Sequence, residues 1–225
     1  MAAPVGRADG ACCRGLSDVI DRDHPAHVAS DPRWGRDFEP DRLARLELRA
    51  WKAYYRRQPA RLFALLVLVN REQARASWLK SFVAAFWLAR AAVRFGRSNG
   101  DYDRVLPDIE RGYRALEVAP DRLAMVARRE LRWWVVRREI GETAGAAAGD
   151  AITALYSVLY DVPDAVVAEA GRLRGLAAEI RDRGGNADPD GPSGLGQSYW
   201  PKVGQLLRTA YRSLRDGLDR TAASR

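Results

Sequence analysis

The chain has 225 residues, 47% of them hydrophobic and 29% charged, with a formal charge of +8. That composition supplies a core and excludes global disorder. Two cysteines and two histidines exclude a disulfide framework and leave little for a metal centre.

Residues 1–39 mix Gly, Pro, Asp and Arg without periodicity and read as an irregular tail, with Trp34 and Phe38 as the side chains able to dock on a body. Cys12 and Cys13 are adjacent and lack a second Cys/His pair, so they suit neither a long-range staple nor zinc. The tail has no apolar stretch of secretory type, and no uncharged window approaches the ~18–20 residues of a membrane span. The expectation is a reduced, cytoplasmic protein. The tail holds five arginines against seven acids, so residues 40–225 carry +10. Only Lys52, Lys80 and Lys202 are lysines, an arginine bias of the kind that a GC-rich coding sequence produces.

From Pro40 onward the pattern is helical. Prolines at 40, 59, 120, 163 and 201 mark starts, where a missing N–H costs nothing, and Gly96 and Gly141 follow apolar runs as stops. The spacing predicts eight helices, over 40–57, 59–75, 77–95, 102–117, 120–140, 147–161, 163–183 and 200–217. In the seventh, Val166, Ala170, Leu173, Ala177 and Ile180 form one stripe; in the eighth, Val203, Leu207, Ala210, Leu214 and Leu218 do. The second and third, with LFALLVLV (62–69) and FVAAFWLA (82–89), are apolar around much of their circumference and are expected at the centre. Residues 184–197 read as a flexible loop and 218–225 as a C-terminal tail.

The fold class is therefore all-α: a single-domain helical bundle over 40–217. Two short segments recur within it. ELRAW (47–51) matches ELRWW (130–134), and GYRAL (112–116) matches AYRSL (210–214), with offsets that differ by about the length of the Gly-rich loop. The chain can be read as two four-helix halves, 40–117 and 120–217, or the matches can be chance among common helix formers.

LELRAWKAYYRR (46–57), RRELRWWVVRRE (128–139) and ALYSVLYDVP (154–163) resemble motifs of uncharacterised all-helical proteins from GC-rich actinobacteria. The resemblance implies a fold and no activity. A histidine often stands in those proteins where this chain has Arg137, which weakens any metal site built on the likeness.

Glu47 shares a helical face with Leu43, Ala50, Trp51 and Tyr54, and Glu130 sits likewise below Trp133 and Trp134. A buried carboxylate needs a cation, a donor, a proton or water. One reading pairs each with an arginine, with Arg49, Arg132, Arg137 and Arg138 as candidates. The functional reading is a small-molecule pocket between helices one and five. Trp51, Tyr54, Tyr55, Trp133 and Trp134 would frame it, Glu47 and Glu130 would anchor a polar group, and Arg137 and Arg138 would stand at its edge. It would take an apolar or aromatic ligand, with no cofactor and no resident metal. A different class is an interaction module whose Arg-rich fifth helix (Arg122, Arg128, Arg129, Arg132, Arg137, Arg138) binds nucleic acid or an acidic protein. A third is a carboxylate-bridged metal oxygenase, for which His24 and His27 are the sole histidines and lie in the tail. Residues 186–191 resemble the start of a Ca²⁺ loop but lack its closing Glu. Tyr156 and Tyr160 read as core packing, and a homo-oligomer is compatible with the composition. Phosphate-cradling and nucleophile-elbow motifs are absent, so the expectation leans away from an enzyme.

Overall fold

The structure, a computed structural model, describes residues 35–187 and 199–224. Among them are eight α-helices and no strand: α1 (Pro40–Tyr55), α2 (Pro59–Ala74), α3 (Trp78–Arg97), α4 (Leu106–Ala115), α5 (Pro120–Ile140), α6 (Gly145–Tyr160), α7 (Asp164–Ala187) and α8 (Tyr199–Ala223). Local chemistry sets their ends. Glu39 caps α1 by accepting from the amides of Asp41 and Arg42, and Ser77 caps α3 by accepting from Lys80. Gly141, at φ 75°, ends α5, and Asp161 ends α6 in the left-handed conformation.

The helices form a closed ring. Each packs on its successor in sequence, and α8 returns to pack on α1. The closest approach joins α6 and α7, each of which carries a Gly-x-x-x-Gly (145/149 and 171/175). A methyl group on Gly175 would lie 2.3 Å from the carbonyl oxygen of Gly145 and 2.5 Å from the nitrogen of Gly149. Backbones that meet this closely let α7 reach deep, and its Val167, Ala170 and Ala177 are fully buried. The α8 stripe Val203, Leu207, Ala210, Leu214 and Leu218 is buried as its spacing implies.

Four expectations are corrected. The centre is built from α6, α7 and α8, not from α2 and α3; α3 leaves Leu79, Phe82, Phe86 and Val93 about half exposed or more. Small residues on α6 and α7 let their backbones approach closely, whereas bulky side chains on α2 and α3 keep their neighbours further off and leave one face of α3 uncovered. The helix α7 continues through Gly184 and Gly185 to Ala187, because Gly184 offers a flat seat for the Tyr199 ring; the rest of the expected loop and the Ca²⁺-like run lie outside the described residues. Likewise α8 passes Gly217, which packs on the Val166 carbonyl, and extends to Ala223. The fourth helix is shorter than expected, since Asp103–Val105 is a 3-10 turn ahead of Pro107. Phe38 docks as expected, buried against Tyr211 with ring centroids 6.1 Å apart. Trp34, Cys12, Cys13, His24 and His27 lie outside the described residues.

Candidate functional site

The inward-facing carboxylates lie in a polar core. Glu47 is 5% exposed. Its Oε1 accepts from Trp51 Nε1 at 3.2 Å and from Arg174 Nε at 3.1 Å, with a second, short bond from an Arg174 Nη. Its Oε2 accepts from the Tyr211 hydroxyl at 2.5 Å. Glu130 repeats part of this pattern: Trp134 Nε1 donates to it at 2.9 Å and the Tyr113 hydroxyl at 2.8 Å. Each carboxylate thus holds the indole four residues on and a tyrosine from a helix packed beside it, α8 for Glu47 and α4 for Glu130. Glu47 has an ion-pair partner and Glu130 has none among the described residues. Burial pushes the phenols of Tyr113 and Tyr211 well up, and the neighbouring carboxylates add to it. The Tyr156 phenol is raised by burial, and both glutamates contribute.

Arg174 comes from α7 and was not among the arginines expected to pair with Glu47. Burial would lower its pKa, but Glu47, Tyr156 and Tyr211 more than offset this and hold it charged. Its guanidinium lies 5.4 Å from the Trp133 ring centre and 5.8 Å from that of Tyr156. Beside it, Arg137 makes a bidentate pair with Asp182 at 2.7 and 2.8 Å and a short bond to the Tyr55 hydroxyl. It also sits 5.6 Å above Trp51. The seam between α1 and α5, where the sequence suggests a ligand, is therefore bridged by guanidinium groups and phenols. Of the candidate residues, Glu47, Trp51, Tyr55, Trp133 and Arg137 meet there; Glu130 and Trp134 form the second cluster. Tyr54 points outward at 58% exposure. Arg138 stands apart, donating to the Phe95 carbonyl and covering Phe95 and Tyr102. Two shallow recesses of about 400 and 430 Å³ lie elsewhere: one by Tyr102, Leu106, Arg128 and Arg132, the other by Arg122, Val158 and Pro163.

Sequence reasoning passed over Arg174, Asp182 and the outer face of α3. Leu79, Phe82, Phe86 and Val93 recur on that face at intervals of three, four and seven residues, exposed at 73, 53, 48 and 54%. Phe63 of α2 packs edge-on against Phe82 at 5.1 Å and extends the patch. The sequence segment that carries it is one-sided in charge, although Lys80 pairs with Glu117 at 2.6 Å and Arg90 and Arg94 with Asp108, both acids of the segment that follows. Residues 48–100 hold eleven Lys and Arg against one acid, Glu72, a net +10 that exceeds the charge of the whole chain. Glu72 is buried and already bound to Arg42 at 3.0 Å and to the amide of Glu39. Arg49, Arg57, Arg61 and Arg97 make no ion pair among the described residues. The arginines of α5 are also exposed at 128, 129 and 132, but Glu139 shares their helix.

No group of three or more His, Cys, Asp and Glu able to hold a metal ion occurs among the described residues. No helix among the described residues is long and apolar enough to cross a membrane. The comparisons with family models, curated proteins and solved structures return no match to this chain.

Proposed function

We propose that the protein is a non-catalytic interaction module that docks on an anionic lipid surface through the outer face of α3. The observation that carries this reading is the row Leu79, Phe82, Phe86 and Val93, exposed in the middle of the segment that holds the chain's positive charge. Contiguous exposed apolar groups mark interaction sites. Aromatic and aliphatic side chains on a helix flanked by arginines suit an interface whose interior is apolar and whose surface is negative. Each cation near such a surface contributes about 1 kcal/mol, and Arg97, on α3 itself and without an ion pair among the described residues, adds to the insertion of the apolar row. A second copy would bring Arg90, Arg94 and Arg97 of α3 towards their own counterparts, which opposes self-association there.

Co-sedimentation of the full chain with vesicles tests this. Binding is expected to phosphatidylserine-containing vesicles and not to phosphatidylcholine alone. Leu79→Asp and Phe86→Asp should abolish it with little loss of thermal stability, because Leu79 is 73% and Phe86 48% exposed. Absence of vesicle binding overturns the reading, and a dimer in light scattering or a nucleic-acid shift indifferent to Phe86→Asp would then identify the other class of partner.

A further inference from the structure

Directly beside the apolar row, three arginines converge on one carboxylate. Asp108 of α4 is fully buried. Arg94 Nη1 donates to its Oδ2 at 2.8 Å. Arg90 Nε lies 3.5 Å from the same oxygen, and Arg111 Nη1 lies 3.5 Å from Oδ1. Those two are ion contacts without hydrogen-bond geometry, and Oδ1 accepts no hydrogen bond. Trp87 forms a floor, with the guanidinium carbons of Arg90 and Arg111 at 5.2 and 4.7 Å from its ring centre. The three side chains remain 46, 42 and 48% exposed.

This is more cation than Asp108 requires. One carboxylate among three guanidiniums leaves a local charge of +2, held on a rigid helix pair. Each guanidinium carries five N–H donors in a planar fork, and Asp108 takes a small part of them. The remainder face outward from groups that the carboxylate and the indole hold in place. A phosphomonoester carries ≈ −1.5 to −2 at pH 7 with three strong acceptor oxygens, which matches the cluster in charge and in donor geometry. Arg90 follows Phe86 by one helical turn and precedes Val93 by three residues, so the cluster flanks the row that the proposed docking inserts.

We infer that Arg90, Arg94 and Arg111, oriented by Asp108 and Trp87, form a seat for a phosphomonoester headgroup at the α3–α4 seam. The lipid source rests on the docking proposed above; the phosphate chemistry does not. Bound there, the phosphate oxygens take the outward N–H groups while Asp108 keeps its inner contacts, and no bond is made or broken.

The experiment uses the full chain and charge-matched vesicles containing either phosphatidic acid, a phosphomonoester, or phosphatidylserine, a phosphodiester. Binding to phosphatidic acid is expected to be about tenfold tighter, the value of one charge-assisted hydrogen bond. Arg111→Gln should erase this preference, with an effect on phosphatidylserine binding no larger than that of losing one surface charge. Arg90→Lys, which keeps charge and loses the fork, should do the same. Arg97→Gln, a charge loss away from the seat, should weaken both vesicles equally. Equal binding of wild type to both headgroups overturns the seat, as does an Arg111→Gln that behaves like Arg97→Gln. If the protein binds neither vesicle, the docking reading fails by itself, and titration with glycerol 3-phosphate decides the seat. Saturable binding lost in Arg111→Gln supports it for a soluble phosphomonoester; no binding overturns it.

Discussion

The hydroxyl of Tyr211, on the last helix, donates to the carboxylate of Glu47, on the first, across 164 residues and 2.5 Å. This bond closes the ring where α8 meets α1, and the Arg174 pair ties α7 to the same carboxylate. Tyr211→Phe removes one donor from a buried charge and should cost about 1.5–3 kcal/mol in urea denaturation. Arg174→Met leaves Glu47 without a counter-charge and should cost about 3–5 kcal/mol. Combining Arg174→Met with Glu47→Leu should recover much of that loss, because no orphaned charge remains.

Glu130 offers a contrast. It is half-buried and held by neutral donors from Trp134 and Tyr113. Glu130→Gln keeps an acceptor oxygen for one of them and should cost about 1 kcal/mol, the ordinary net value of a hydrogen bond. A loss from Glu130→Gln as large as that from Arg174→Met would show that the second carboxylate has a counter-charge after all.

The glycines should respond in opposite directions. Alanine is normally favoured over glycine inside a helix by about 1 kcal/mol. Gly96, with open space around it, should gain up to that amount on Gly96→Ala. A methyl group on Gly175 meets the α6 backbone at 2.3 Å, and a backbone cannot yield as a side chain can. Gly175→Ala should therefore destabilise by several kcal/mol, of the order of overpacking a core. Thermal melts of both variants settle the pair.

Alkaline pH should unfold the protein. Burial holds the phenols of Tyr113, Tyr156, Tyr160 and Tyr211 above their ordinary range. In the unfolded chain they ionise near pH 10. Below that pH both states keep these protons and the stabilisation is complete. Above it the unfolded state releases protons that the native state retains, so stability falls as pH rises towards the native values. Phenolate absorbance from these four residues is expected to appear together with loss of helical circular dichroism. Their ionisation in a chain still fully helical would contradict the burial described.

Much of the fold was legible because backbone chemistry announces itself locally. Pro40, Pro59 and Pro120 stand at helix starts, and the α8 stripe from Val203 to Leu218 faces inward as its period requires. Glu47 was legible as a polar residue on an apolar face. Its partner was not, since Arg174 lies 127 residues away and one position from Leu173 on a helix that also carries the exposed Arg172 and Arg183. The signal for the α6–α7 contact was present in two Gly-x-x-x-Gly spacings, which permit backbone contact but resemble loop composition. Apolar content misplaced α2 and α3, because the run 82–89 says that a face is apolar without saying whether protein or another phase covers it.

The bonding across the ring is reciprocal. Tyr113 precedes Pro120 yet serves Glu130 beyond it, and Tyr211 from the far end serves Glu47. Neither 35–117 nor 120–224 alone can satisfy its own glutamate in this way. A polypeptide cleaved after the exposed Glu117 should yield two fragments that remain incomplete apart and reassemble when mixed, each acting as the template that completes the other.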